Sequence, residues 1–310
     1  MLSKKRDIKN YLLSINKFKE VKINWLKSGL SNNNYFFESN GKKYILRINK
    51  VRGAGKINSL RNEWLFLSFL KDKKIDYVPK SIYFDEKLNI HIITYLEGNK
   101  TSFRRLGFSC MKDAIKKIHD INVMAPLFIK YCEEKGEFLK EPRSEIKSIK
   151  NHILEKLKPT IKNKKVLKIR NMVLERLESD FKNKRTSKRI VYLNHGDPAD
   201  NLIVKNKYIK IIDWEFVKFT YGPGLVHILA HGRLSEKKEK LLIKFYSEYS
   251  GISYDSLVRK TYREKKMYYL LKIAKICNKY SDEKKALKRD LVSDENNIKK
   301  LMERYNSIMN

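Results

Sequence analysis

The stretch LNHGDPADNLIV, residues 193–204, followed by IIDWEF at 211–216, decides how this chain is read. Two short apolar runs bracket a His-Gly-Asp turn, an Asn and then a second Asp. RIVYLNHGD reads as a strand that ends in a turn, and NLIV with IKIIDW as a hairpin around KNKY. Such a hairpin brings Asp197, Asn201 and Asp213 to one edge of a small sheet. Two carboxylates and an amide oxygen are hard donors, suited to a Mg2+ ion shared with phosphates. Asp197 could instead accept a proton from an attacking hydroxyl while Asp213 holds metal. Polar hairpin turns, where Asp, Asn and Gly are common, are the plainer meaning of the same letters.

Upstream of this island, residues 20–98 read as strands and turns with one helix. VKINWL (21–26) and YFFES (35–39) are strand-like, with the turn-rich KSGLSNNN between them. Asn40-Gly41 is a strong hairpin signal, because both residues tolerate positive φ, and KKYILRI (42–48) is the returning strand. Leu60, Trp64, Leu67 and Leu70 fall at helical spacing. SIYFD and IHIITYL (90–96) give two further strands, so a twisted antiparallel sheet with one packed helix is expected. From about 103 onward the pattern turns helical. Met111, Ile115 and Ile118 share one face, residues 144–182 read as two or three Lys/Glu-studded helices, and 234–310 repeat that style. The expected class is α+β, divided into a β-rich part, 1–98, and a larger, mainly helical part, 99–310.

Composition narrows the function classes. The chain has 310 residues, 42% hydrophobic and 11% aromatic, which suits a folded protein with a sizeable core. No apolar run is long enough to span a bilayer, and the basic N-terminus lacks the apolar core of a signal peptide. Cys110, Cys132 and Cys277 are odd in number and far apart, so neither a disulfide framework nor a zinc knuckle is expected, and the cytoplasm is the expected compartment. The net charge of +34 suits an RNA or anionic-lipid partner. It is spread along the whole chain, however, and a solvated lysine coat is the favoured meaning. His227 and His231 stand at i and i+4, but without an intervening Glu or a third ligand they read as buried or capping histidines.

HGDPADN…IIDWE resembles the signature of the kinase-like small-molecule phosphotransferases, which include aminoglycoside phosphotransferases, choline/ethanolamine kinases and thiamine kinases. Other pieces fall in that family's order: SGLSNNNYFFESNGKKYILRI resembles its nucleotide loop and basic strand, RNEWLFLSFL its Glu-bearing helix, ITYLEG its hinge and IKKIHDI the helix that follows. The resemblance runs from about residue 25 to 230. It implies a bilobal protein-kinase-like fold, with a nucleotide-binding lobe at 1–98 and a catalytic, acceptor-binding lobe at 99–310.

The resemblance also implies roles. Arg47, paired with Glu63, would reach the ATP phosphates; the segment containing Ser28, Gly29, Ser31, Asn32 and Asn34 would fold over them. Thr94, Tyr95 and Leu96 would meet the adenine edge. Asp197 would deprotonate the acceptor hydroxyl, and Asp213 with Asn201 would hold Mg2+. His195 would brace the loop from behind. Glu215 could hold a cationic substrate or a second metal, or be a surface acid. This sequence departs from the family pattern in three ways. Asn201 follows Asp197 by four residues rather than five, so Asp200 competes for the metal. His227 stands where relatives carry a second Asp, and acids around an acceptor pocket are few. Tyr221, Tyr246, Tyr249, Tyr268 and Tyr269 could form a cation–π wall for a quaternary ammonium, although core or rim packing is their commoner use. The expected activity is transfer of the ATP γ-phosphoryl to a hydroxyl of choline, ethanolamine, thiamine or a similar small molecule, with an aminoglycoside second. The alternative is a catalytically weak kinase-fold protein that binds RNA or anionic membrane through its basic surface.

Overall fold

Alternation of side chains along five strands builds the first half of the chain. The computed structural model describes residues 5–26, 32–50, 58–137, 164–180, 190–222, 224–232, 234–278 and 291–308. Strands β1 (Lys22–Trp25), β2 (Asn32–Ser39), β3 (Lys42–Asn49), β4 (Ser81–Asp85) and β5 (Ile90–Thr94) form one antiparallel sheet in the order β1-β2-β3-β5-β4. Asn40 and Gly41 make the β2–β3 turn with φ of 51° and 67°, as the Asn-Gly pair predicts. Tyr35, Phe37, Leu46, Ile90 and Ile92 bury one face against Ile8 and Leu12 of helix α1 (Lys5–Ser14) and against Phe18. Phe18 meets Phe37 edge-on at 5.2 Å, the spacing that aromatic quadrupoles favour.

The opposite face is different. β2 begins at Asn32, three residues before the expected Tyr35, and in its register Asn32 faces Asn49 and Asn34 faces Arg47. Apolar periodicity misses this extension because the face it adds to is polar. β5 stops at Thr94, two residues short of the expected end. There the chain turns away toward Gly98, whose φ is 136°. A Cβ at Gly98 would lie 2.6 Å from both Ile203 Cγ2 and the Val204 carbonyl oxygen, so only glycine permits this approach.

Helix α2 (Asn58–Asp72) places Leu60, Leu67 and Leu70 in the core, and its Trp64 stacks on Phe84 at 5.1 Å. α3 (Phe108–Asn122) buries Met111, Ile115 and Ile118 as their spacing predicts, and α4 (Ala125–Glu134) adds Phe128. A short strand, β7 (Tyr192–Asn194), leads into the 195–201 turn, and a three-stranded sheet, β6-β8-β9, joins β6 (Asn99–Thr101) to the hairpin β8 (Leu202–Lys205) and β9 (Tyr208–Ile211). The hairpin lies where the sequence puts it, around KNKY.

The chain divides into two compact units, residues 1–139 with 193–218 and residues 140–192 with 219–310. In the second unit the described helices are Lys164–Asp180, Leu225–Gly232, Glu236–Ser250, Tyr254–Asn278 and Leu291–Asn306. Val173, Leu177, Leu270, Ile273 and Tyr305 form its core. Of the helices expected over 144–182, residues 144–163 lie outside the described residues. Glu236–Ser250 starts at Ser235, whose hydroxyl accepts from the Lys238 N–H, and ends at Gly251 in the left-handed conformation. Cys110, Cys132 and Cys277 are free thiols. No helix among the described residues is long and apolar enough to cross a membrane.

Candidate active site

The polar face of the five-stranded sheet converges on one guanidinium. Arg47 is 6% exposed, and Glu63 of α2 is fully buried. Arg47 Nη1 pairs with Glu63 Oε1, while Nη2 donates to Asp213 Oδ1 at 2.8 Å and to Glu215 Oε2 at 3.3 Å. Burial alone would lower the Arg47 pKa, but Glu63, Asp213 and Glu215 outweigh it and raise the value. Glu63 is likewise held below its ordinary value: burial opposes its charge, and Arg47, His91 and the Trp214 N–H overcome that penalty.

Glu63 is fixed from three sides. Its Oε1 accepts the Trp214 backbone N–H at 3.2 Å, and its Oε2 meets His91 Nδ1 at 3.2 Å. Burial lowers the His91 pKa, so the ring is neutral near pH 7. A carboxylate only accepts, so Nδ1 carries the proton, and Nε2 then accepts from Ser81 Oγ at 3.1 Å. Sequence reasoning missed His91 and Ser81. The available signal was one polar letter in the apolar run IHIIT, at the position that pairs with Arg47 across β3 and β5.

Asp213 lies two residues beyond the end of β9 and has left-handed backbone angles, φ 68° and ψ 59°. Aspartate tolerates this region better than most residues, and the bend lets Trp214 turn inward. Trp214 packs on Phe66 of α2 at 4.9 Å and on His195 at 4.3 Å. The metal-loop candidate, the Glu63 helix and the 195–201 turn are therefore pinned by one buried indole.

The 195–201 turn is held from behind, as expected for His195. Its Nε2 faces the Ile212 carbonyl oxygen at 2.8 Å, and its Nδ1 accepts the Asp197 N–H at 3.3 Å. Burial lowers its pKa, which agrees with a neutral ring donating through Nε2. Gly196 has φ 86°, and a Cβ there would come 2.9 Å from the Phe216 carbonyl oxygen, so the turn needs glycine. The short loop closes through the Asn201 N–H to the Pro198 carbonyl oxygen at 3.4 Å and the Ile212 N–H to the Asn201 carbonyl oxygen at 3.0 Å. The Asn201 side-chain N–H₂ donates to the Asp197 carbonyl oxygen at 2.8 Å, which leaves its Oδ1 for another partner. Asp200 is exposed and Asn201 is buried.

Asp197, Asn201 and Asp213 thus bracket one hairpin end, as the sequence predicts, and Arg47 and Glu63 are brought to Asp213. Asn32 and Asn34 lie on the polar face of β2; Ser28, Gly29 and Ser31 lie outside the described residues. Thr94 ends β5, the Tyr95 N–H donates to the Lys43 carbonyl oxygen at 3.0 Å, and Tyr95 meets Phe36 edge-on at 5.1 Å, with Leu96 half-buried beside it. Glu215 is neither a surface acid nor free for a cationic substrate. It is 6% exposed and bonded to Arg47 and Asn32, because the turn after Asp213 directs it inward. Tyr246 and Tyr269 are core residues of the second unit, which removes them from an aromatic wall. The side chains of His227 and His231 lie outside the described residues.

The donor set suits a hard divalent cation. One guanidinium faces three carboxylates, so the cluster carries a surplus of negative charge, and Asp213 is its most accessible acid, with 32% of its side chain exposed. The free Asn201 oxygen adds a neutral donor of the kind Mg2+ accepts. Among the described residues no group of three or more His, Cys, Asp or Glu is already gathered as a complete metal site.

No family model and no curated protein matches the chain by sequence. Solved structures do match by shape. A choline kinase from Streptococcus pneumoniae aligns over 97% of this chain and 98% of its own, with TM-score 0.60 and 19% identity. A choline/ethanolamine kinase family protein from Mesorhizobium loti aligns over 98% and 94%, with TM-score 0.65 and 15% identity. An ADP-bound aminoglycoside phosphotransferase aligns over 98% and 99%, with TM-score 0.61 and 16% identity. The chain therefore has the protein-kinase-like fold of the small-molecule phosphotransferases.

Proposed function

We propose that this protein is an ATP-dependent phosphotransferase acting on a hydroxyl of a small molecule, with an amino alcohol or related metabolite (choline, ethanolamine, thiamine) favoured over an aminoglycoside. The observation that carries the reading is the joining of Arg47, Glu63 and Asp213 at the end of the hairpin that also bears Asp197 and Asn201. The fold's likeness to choline kinases and aminoglycoside phosphotransferases supports the reaction class. Residues 1–98 serve as the nucleotide lobe, with Ser28, Gly29, Ser31, Asn32 and Asn34 over the phosphates and Thr94–Leu96 at the base; residues 99–310 supply the base, the metal ligands and the acceptor site.

Mg-ATP supplies the phosphoryl group and a dication that neutralises it. The chain does the rest by position and charge. Arg47, kept cationic by its three carboxylates and aimed by Glu63, binds phosphate oxygens. Asp197 orients the acceptor hydroxyl and takes its proton as the new P–O bond forms and the bridging P–O bond breaks. Asp213 and the Asn201 oxygen are the metal ligands, and the burial of Asn201 against the exposure of Asp200 supports that choice. A panel of alcohols incubated with protein and Mg-ATP, read by ADP release, tests the assignment. An amino alcohol is expected to be the best acceptor; a preference for aminoglycosides would reverse the substrate order, and acceptor-independent silence across the panel would sink the reading.

A further inference from the structure

Glu215 is buried and bonded twice, unlike the surface acid or substrate contact its place in the sequence suggests. Its Oε2 accepts from Asn32 Nδ2 at 2.5 Å and from Arg47 Nη2 at 3.3 Å, across 183 and 168 residues of chain. Asn32 is 2% exposed and is the first residue of β2, directly after the segment read as the nucleotide loop. We propose that Glu215 is a positioning residue for the nucleotide phosphates, a clasp that ties the start of β2 to the loop bearing Asp213 and holds Arg47 from its second side.

Chemistry explains why an acid is used. Two donors converge on one oxygen, and a carboxylate is acceptor-only with charge enough to hold both. A neutral amide keeps the shape but holds two donors more weakly, and one of those donors is a guanidinium. The clasp also sets which atoms of the β2 face remain available. Asn32 spends its N–H₂ on Glu215, and the side-chain oxygens of Asn32 and Asn34 and the Arg47 Nε are buried without a hydrogen-bond partner among the described residues. Buried polar atoms of this kind are costly in a purely structural sheet, and they cluster where the phosphates are placed. Glu215 therefore acts through Asn32 and Arg47 and touches neither the acceptor nor the transferred group.

This inference rests on the phosphotransferase reading, and the test separates the two. Nucleotide binding is measured directly, as the Kd of ADP with Mg2+ by calorimetry, beside the KM values for ATP and for the acceptor. Glu215→Gln is expected to weaken ADP binding and raise the ATP KM by roughly tenfold, as loss of a charge-assisted contact would, with the acceptor KM unchanged. Asn32→Asp alone sets two carboxylates face to face and is expected to be worse. The pair N32D/E215Q moves the carboxylate to the other side of the same contact and is expected to bind ADP better than either single variant. A raised acceptor KM with ADP binding intact would make Glu215 a substrate contact instead. A changed Mg2+ requirement alone would make it a metal ligand, and a lower melting temperature with unaltered binding would leave it a fold residue. A double variant no better than N32D would also overturn the clasp. If the wild-type protein binds no ADP at all, the phosphotransferase reading falls first and the clasp with it.

Discussion

Lys265 and Glu239, on two helices of the second unit, form a closed ion pair: Nζ lies 2.9 and 2.7 Å from the two carboxylate oxygens, and both residues are at most 7% exposed. Arg47, buried to the same degree in the first unit, is surrounded by Glu63, Asp213 and Glu215. One pair ends with its charges matched. The other holds more negative charge than its cation cancels, fixed by His91, Trp214 and Asn32. Burial is costly for both, so only a matched pair can be explained by stability alone. An unmatched cluster asks for an outside cation, and it sits beside Asp197 and Asn201. Each of the following experiments sharpens or breaks that contrast.

The largest effect belongs to the chemistry next to the unmatched cluster. Asp197→Asn keeps the shape of the turn and removes the proposed base. Turnover is expected to fall by roughly 10²–10⁴-fold, with ATP affinity nearly unchanged. Should Asp197→Asn lose ATP as severely as Asp213→Asn, Asp197 is a metal ligand and the division of labour within the hairpin is wrong.

The next concerns the cation itself. Mg-ATP is expected to raise the melting temperature of the wild-type protein through linkage. Arg47→Ala abolishes that shift, whereas Glu63→Gln reduces it, because the arginine retains Asp213 and Glu215 as partners. A full shift in Arg47→Ala would take Arg47 out of the nucleotide site and leave the cluster without a purpose.

A smaller and more selective change is expected in the short loop. Asn201→Ala raises the Mg2+ concentration needed for half-maximal activity far more than Asp200→Ala does. The reason is geometric: Asn201 is buried, with its N–H₂ on the Asp197 carbonyl oxygen and its own oxygen free, while Asp200 faces solvent. An acid in that place would also set another negative charge against the γ-phosphate. The opposite ranking in a Mg2+ titration gives the ligand role to Asp200.

Much of this site could be read from sequence, for reasons that particular residues make clear. The β8–β9 hairpin is local, so its apolar runs and polar turn place Asn201 and Asp213 at one end without knowledge of anything distant. The Asn40-Gly41 turn fixes the β2–β3 register in the same way. The Arg47–Glu63 pair joins a strand to the helix after it, and it was legible only through the family's ordered motifs. His91 and Ser81 were not legible as members, and Glu215 was legible as a candidate but not as the partner of Arg47 and Asn32. His91 meets Arg47 only through strand pairing, and Glu215 meets Asn32 across 183 residues of chain. The β2 extension was hidden because apolar alternation marks strands that bury two apolar faces or one, and this one buries asparagines.

The smallest expected effect comes from the matched pair, and it is the one that tests the contrast most directly. Lys265→Met alone leaves the Glu239 carboxylate buried without its cation, and Glu239→Leu alone strands the ammonium. Either single change is expected to cost on the order of 3–5 kcal/mol of stability, the usual result of breaking a buried pair. The double variant K265M/E239L replaces both charges with apolar groups of similar size, so no charge is left uncompensated. Its stability in chemical denaturation is expected to return to within about 1 kcal/mol of wild type. Its kcat and ATP KM are expected to match wild type, since a self-satisfied pair has nothing to offer a ligand. The same exchange at Arg47 and Glu63 can restore packing in the same sense, yet it removes the proposed phosphate-binding cation, so turnover is expected to be lost whatever the stability does. If K265M/E239L folds as stably as wild type and still loses activity, the second unit's pair serves the reaction too, and matched charge is no longer a sign of a purely structural role.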